Sequence, residues 1–167
     1  CNLKSAFGLT EQSKPTLKNI VSLKTGCAYP PAAKAKTAPS LVEGKWINSD
    51  ALTLETQRGR VVFIEFWTFG CYNCVNTLPH VNDLYAKYKD KGLVVVGVHT
   101  PEFPFERSAA NVQAALKRHG ITYPVAQDNA YGTWSAYRNQ YWPATYLIDA
   151  EGRIVYQHYG EGRYKET

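Results

Sequence analysis

Methionine is missing from this chain altogether, and no apolar run approaches the ~20 residues a membrane-spanning helix needs. No secretory apolar core is present either, so a chain that opens on Cys1 without methionine is expected to have lost an N-terminal piece. Cysteine is scarce: four in 167 residues is too few for a disulfide scaffold. With 44% hydrophobic and 13% aromatic residues, the chain can build a core without one. Internal repeats are lacking, which excludes a solenoid or propeller. A charge excess is lacking over most of the length, since residues 46–167 hold 12 basic and 12 acidic side chains. The net +5 lies in residues 1–45, where seven lysines face only Glu11 and Glu43. No basic stripe interleaved with aromatics occurs in the body, so nucleic acid is not expected as a partner. The basic arm suits a tether near an anionic membrane surface.

The remaining pattern divides the chain near Pro39. Residues 1–39 are basic and rich in Pro, Ala and Lys, a composition that stays extended. Residues 40–167 alternate in kind. "KWIN" and "LTLE" read as short strands and "VVFIEFW" (61–67) as a buried one. Residues 72–89 place Leu78, Val81, Leu84, Tyr85 and Tyr88 at helical spacing, with Pro79 expected to kink the helix. "GLVVVGVHT" (92–100) reads as a central parallel strand, residues 104–120 as a helix closed by Gly120, and "TYPVAQ" as a short strand. A further helix lies in "NAYGTWSAYRNQ", and 144–160 forms a hairpin around "DAEG". Strands alternating with helices give an α/β sandwich on a mixed sheet.

Cys71 and Cys74 stand where the buried strand hands over to a helix. Residues i and i+3 share a helix face, so the two sulfurs can meet. At the helix N-terminus Cys71 faces unsatisfied N–H groups and the positive end of the dipole. Both favour thiolate, which can lower a thiol pKa from about 8.5 to about 3.5–7.5. Cys74, one turn in, is expected to be sheltered and protonated, the resolving partner in a dithiol couple. Haem attachment would need His after the second cysteine, where Val75 stands. A zinc site would need a second ligand pair, and His80, His99, His119 and His158 are scattered. A structural staple across so short a loop would add little. A thiol peroxidase, and a redox-inert metal-binding or metallochaperone module, stay open as other uses of the same pair.

Glu65 interrupts the apolar strand. In a strand buried on both faces its carboxyl cannot be solvated, so its pKa should rise. Six residues before Cys71, it is placed to exchange a proton with Cys74. A strand end that reaches water would instead leave it merely exposed. His99 and Glu102, after the next strand, are read as local loop structure.

"EFWTFGCYNC", followed by Pro79, resembles the active-site run of thioredoxin-fold oxidoreductases, and "YWPATYLIDAEGRIV" is similar to that fold's cis-proline loop and terminal hairpin. With "GVHTPEF" and "YRNQYWPATYLIDAEG", the likeness extends over residues 44–162. It is most specific to the extracytoplasmic TlpA/ResA branch and the C-terminal domain of DipZ-type proteins. The resemblance implies a thioredoxin-like three-layer sandwich with a central mixed sheet, N-terminal extra strands and an inserted strand–helix segment. It implies thiol–disulfide exchange with disulfide-containing protein substrates through Cys71 and Cys74, in the reducing direction, with no organic cofactor and no metal. A membrane electron donor of the DipZ/CcdA type would recharge the pair. Trp142–Pro143 would be a cis bond facing the cysteines and presenting Trp142's backbone to a substrate strand. Trp67 and Trp142 would wall a shallow groove, and Tyr72 and Asn73, between the cysteines, would meet the substrate. Three departures stand out. Thr77 occupies a position where ResA-like members carry glutamate. A membrane domain like that of DipZ-type proteins is not expected within these 167 residues, which hold no apolar run long enough for one. It stops at "GEGRYKET", where a C-terminal helix would begin. For Cys1 and Cys27 three readings remain: acylation of Cys1 as a lipoprotein, a Cys1–Cys27 disulfide, or a chain boundary without chemical meaning. The first two place the protein outside the cytoplasm, in the periplasm or at the cell surface.

Overall fold

The computed structural model describes residues 35–165 except Glu43, so Cys1 and Cys27 lie outside the described residues. Six strands form one sheet in the order β1-β4-β3-β2-β5-β6. They are β1 (Lys45–Ile47), β2 (Val61–Trp67), β3 (Leu93–His99), β4 (Val125–Gln127), β5 (Ala144–Ile148) and β6 (Ile154–Tyr159). Strands β2, β3 and β4 are parallel neighbours, while β1, β5 and β6 add antiparallel, making the sheet mixed. The helices are α1 (Tyr72–Tyr88), α2 (Ala109–Arg118) and α3 (Gly132–Ala136).

Every residue of β2 is buried, and its alternation divides the core in two. Val61, Phe63 and Trp67 point into a cluster with Leu78, Val81 and Leu84 of α1 and Val112 and Leu116 of α2. Val62, Ile64 and Phe66 point the other way, against Tyr137, Tyr146 and Leu54. Glu65 shares the face of Phe63 and Trp67, which puts a carboxyl under α1. The first helix runs through Pro79 to Tyr88, with Pro79 on its exposed side. Residues 36–38 run beside the terminal hairpin: Ala38 N–H donates to Gly152 O (2.9 Å) and Ile154 N–H to Lys36 O (2.9 Å). Among the described residues, no helix is long and apolar enough to cross a membrane.

Two expected elements differ. "LTLE" is not a strand: Thr53 Oγ1 accepts from Thr56 N–H (3.3 Å) and Thr53 O from the Thr56 hydroxyl (2.9 Å), closing a turn that drops Leu54 into the core. Such side-chain bonds compete with strand pairing. The expected helix at 104–120 is broken, because Ser108 caps α2 through Asn111 N–H (3.4 Å) and Pro104–Arg107 is a separate 3-10 turn. After β6, residues 160–165 form a bend and a turn.

Candidate active site

Strand β2 leaves the sheet through Thr68, Phe69 and Gly70 and re-enters order at Cys71, the N-cap of α1. Cys71 N–H donates to Thr68 O (3.4 Å), and Cys71 Sγ accepts from Cys74 N–H (3.2 Å). A sulfur thus does the work usually given to a capping oxygen. Both cysteines are free thiols, Cys71 half-buried and Cys74 wholly buried. The Cys71 thiol is held down to about 7, first by a hydrogen bond from the Cys74 thiol, with the N–H groups of Cys74 and Asn73 adding. Burial and the Glu102 carboxylate oppose this. Burial pushes the Cys74 thiol far above the usual range, and its bond to Cys71 pushes the same way. The two sulfurs are therefore unequal, one an accessible thiolate near neutral pH and the other a protonated thiol.

Glu65 is completely buried. Desolvation raises its pKa to about 7, against the opposing hydrogen bond from Thr77, and the Cys71 charge pushes it up further. Thr77 Oγ1 lies 2.5 Å from Glu65 Oε1 and 2.7 Å from Cys74 O. A hydroxyl has one proton, so it bonds the ionised carboxylate or, when Glu65 is protonated, accepts from it and donates to the Cys74 carbonyl. Thr77 therefore couples the charge of Glu65 to the backbone of the buried cysteine. Among the described residues Glu65 Oε2 has no partner, and the Glu65 side chain lines a recess of about 10 Å³ with Thr77, His80, His158 and Tyr164. That is room for a single water.

The other expected contacts divide. Tyr72 is 78% exposed and Asn73 is exposed, both at the surface between the cysteines. The Trp142–Pro143 bond is cis, with Pro143 buried. Trp142 is half-buried, donates through Nε1 to Thr100 O (3.1 Å) and lies 4.1 Å, centroid to centroid, from Trp134. Trp67 does not wall a groove. It is 0% exposed and packs edge-on against His99 at 5.1 Å, because the β2 alternation that buries Phe63 buries it too. His99 is not loop structure either: it ends β3, fully buried, with its ring stacked on Phe69 at 5.5 Å and Nε2 3.3 Å from Thr68 Oγ1. Burial lowers its pKa to about 4, with the Glu106 charge opposing, so the ring is neutral.

Two residues went unseen as parts of the site. Thr77 registered only as a missing glutamate, and its hydroxyl at i+3 from Cys74 was the signal. Glu106 gave no sign in the sequence. It is fully buried and its Oε1 accepts from Gly70 N–H at 2.9 Å, directly before Cys71.

Residues 33–166 match the Redoxin family. Over 136 residues the chain is 48% identical to protein DipZ of Mycobacterium tuberculosis, which is 78% of this chain and 19% of DipZ. It thus spans about a fifth of that relative's length. It is 32% identical over 130 residues to the thiol-disulfide oxidoreductase ResA of Bacillus thuringiensis, covering 75% of this chain and 69% of ResA. Its fold superimposes on the thioredoxin-like superfamily protein SPOA0173 with a TM-score of 0.69 at 30% identity, over 77% of this chain and 88% of that one.

Proposed function

From the premise that this chain belongs to the Redoxin family and is a thioredoxin-like thiol:disulfide oxidoreductase, we propose that it reduces disulfides of protein substrates outside the cytoplasm through Cys71 and Cys74. The observation that carries this is the inequality of the two sulfurs, an N-capping Cys71 held near neutrality above a buried, protonated Cys74. The Cys71 thiolate attacks one sulfur of the substrate disulfide. A mixed disulfide forms and the other substrate sulfur leaves as thiolate. Cys74 then gives its proton to the Glu65 carboxylate and attacks Cys71 Sγ, releasing the second substrate thiolate and leaving a Cys71–Cys74 disulfide. Two electrons pass to the substrate. Glu65 passes its proton on through the recess that its side chain lines.

The reducing direction is supported by the modest fall of the Cys71 pKa. A value of about 7 is that of thioredoxin, with a potential near −270 mV, whereas the oxidant DsbA stabilises its thiolate to about 3.5. A membrane electron donor of the DipZ/CcdA type recharges the pair, and residues 1–39 tether the domain near it, through a lipid on Cys1 or through their lysines. The identity to part of DipZ supports the donor, and the lysine-rich composition of residues 1–39 supports the tether.

Reduction of insulin by the wild type beside Cys71→Ser and Cys74→Ser tests the exchange. Cys71→Ser should be inactive, and Cys74→Ser should accumulate a substrate adduct visible by intact mass. Turnover by Cys71→Ser would remove the mechanism, and peroxide consumption that survives Cys74→Ser would favour a peroxidase. A potential above about −200 mV would reverse the direction. Fractionation and intact mass of the native protein test location and acylation.

A further inference from the structure

The loop after β3 is more firmly held than its exposed tip requires. Glu106 Oε2 accepts from the main-chain N–H of Glu102 (2.6 Å) and Phe103 (2.8 Å), while Oε1 reaches Gly70 N–H (2.9 Å). Three such bonds make one buried carboxylate a peg between two loops 36 residues apart. The fit is tight: a Cβ on Gly70 would collide with Glu106 Oε1 and would lie 3.6 Å from the tip of the Phe105 ring. Outside the peg stand Phe103 and Phe105, 46% and 54% exposed, with rings 5.7 Å apart and 3° from parallel. Phe69 continues the row, 5.8 Å from Phe105, and is itself seated on buried His99. Glu102 is exposed at the same rim, and its charge is felt at Cys71. None of this activates sulfur, since the groups that stabilise the Cys71 thiolate come from α1. Exposed aromatic rings on a rigid mount beside a nucleophile are instead the makings of a subsite.

We propose that residues 101–107 select the substrate: Phe103 and Phe105 receive a large apolar side chain next to the substrate cysteine, and Glu102 disfavours an acidic one. Glu106 is the positioning residue that holds this subsite against the active-site loop. The occupant is a protein disulfide in an exposed segment with an aromatic or branched aliphatic neighbour. Glu106 ties the loop that carries these rings to Gly70, the residue before Cys71, so the subsite lies next to the nucleophile along the chain. The inference rests on the exchange reaction proposed above and adds its specificity.

The test uses the reduced full chain and three disulfide peptides differing only beside one cysteine, where they carry Phe, Ser or Asp. The wild type should reduce the Phe peptide about tenfold faster in kcat/KM than the Ser peptide, chiefly through KM, the order one apolar subsite supplies. The Asp peptide should be slowest. Phe103→Ser/Phe105→Ser should bring the Phe/Ser ratio to about one, and Glu106→Gln should lower it in the same way, because its amide would face N–H donors. Glu102→Gln should bring the Asp peptide level with the Ser peptide. A merely structural Glu106 would change stability or kcat and leave the ratio alone, and that result removes it from the proposal. A wild-type ratio near one overturns the subsite while leaving the exchange reaction intact, and needs no variant to fold. Failure to reduce any peptide overturns the exchange reading itself, and the subsite with it.

Discussion

Replacing Glu65 by glutamine removes a charge that the fold holds at a disadvantage. Burial raises the Glu65 pKa from an ordinary 4.5 to about 7. At about 1.4 kcal/mol per unit, full ionisation costs the native state ~3 kcal/mol. Between these two values the native protein keeps the proton and the unfolded chain has lost it, so unfolding releases a proton. Stability is therefore whole below about pH 4.5 and falls as pH rises, the loss being complete above about pH 7. Glutamine has the same shape and no charge to desolvate. The difference in unfolding free energy, wild type minus Glu65→Gln, should then fall by ~3 kcal/mol between pH 4.5 and 8. The lowered Cys71 pKa acts in the opposite sense above about pH 7, and the lowered His99 pKa does so between about pH 4 and 6.5; both largely cancel in the difference. Urea denaturation of the reduced proteins at half-unit pH steps, followed by tryptophan fluorescence, measures it. A difference that stays flat from pH 4.5 to 8 would refute the buried, high-pKa carboxyl. In single turnover the same variant should resolve its mixed disulfide about 100-fold more slowly, the lower range for losing a general base. Unimpaired resolution would leave Glu65 without a catalytic part.

In a reduced Cys1→Ser/Cys27→Ser variant, which leaves only the site pair, absorbance at 240 nm should show one thiolate forming near pH 7 and no second one up to pH 10. The midpoint should rise in Cys74→Ala, which loses the main donor to Cys71 Sγ, and fall in Glu102→Gln. Thr77→Val keeps the volume but removes the hydroxyl between Glu65 and Cys74. It should cost ~1–3 kcal/mol at pH 8, where the carboxylate loses its donor, and raise the Glu65 pKa further, as seen by carboxyl NMR titration. Trp67→Phe should lower stability by ~1–3 kcal/mol in denaturant melts without changing KM for a peptide disulfide, whereas Trp142→Phe should raise KM.

What could be read along the chain was whatever is written within a few residues. The period-two run of β2, the helical spacing of Leu78, Val81 and Leu84, and two cysteines at i and i+3 locate a nucleophile at a strand-to-helix junction. Glu65 in an unbroken apolar run already announced a buried acid. Even so, "LTLE" misled, because Thr53 and Thr56 bond to each other before the strand pattern can act. Ser108 likewise capped a helix that apolar spacing alone would have carried back to Pro104.

Tertiary structure decided which side chains stand around the sulfur pair, because those contacts join elements whose spacing along the chain carries no trace of them. The sheet registers and the seat of α1 over β2 bring Thr77 onto Glu65, turn Trp67 inward while Trp142 stays at the rim, and set Glu106 against Gly70. A local pattern can say that a carboxylate is buried. Only the packed chain says what it holds: for Glu65 the hydroxyl under Cys74, and for Glu106 the loop that carries two phenylalanines to the edge of the site.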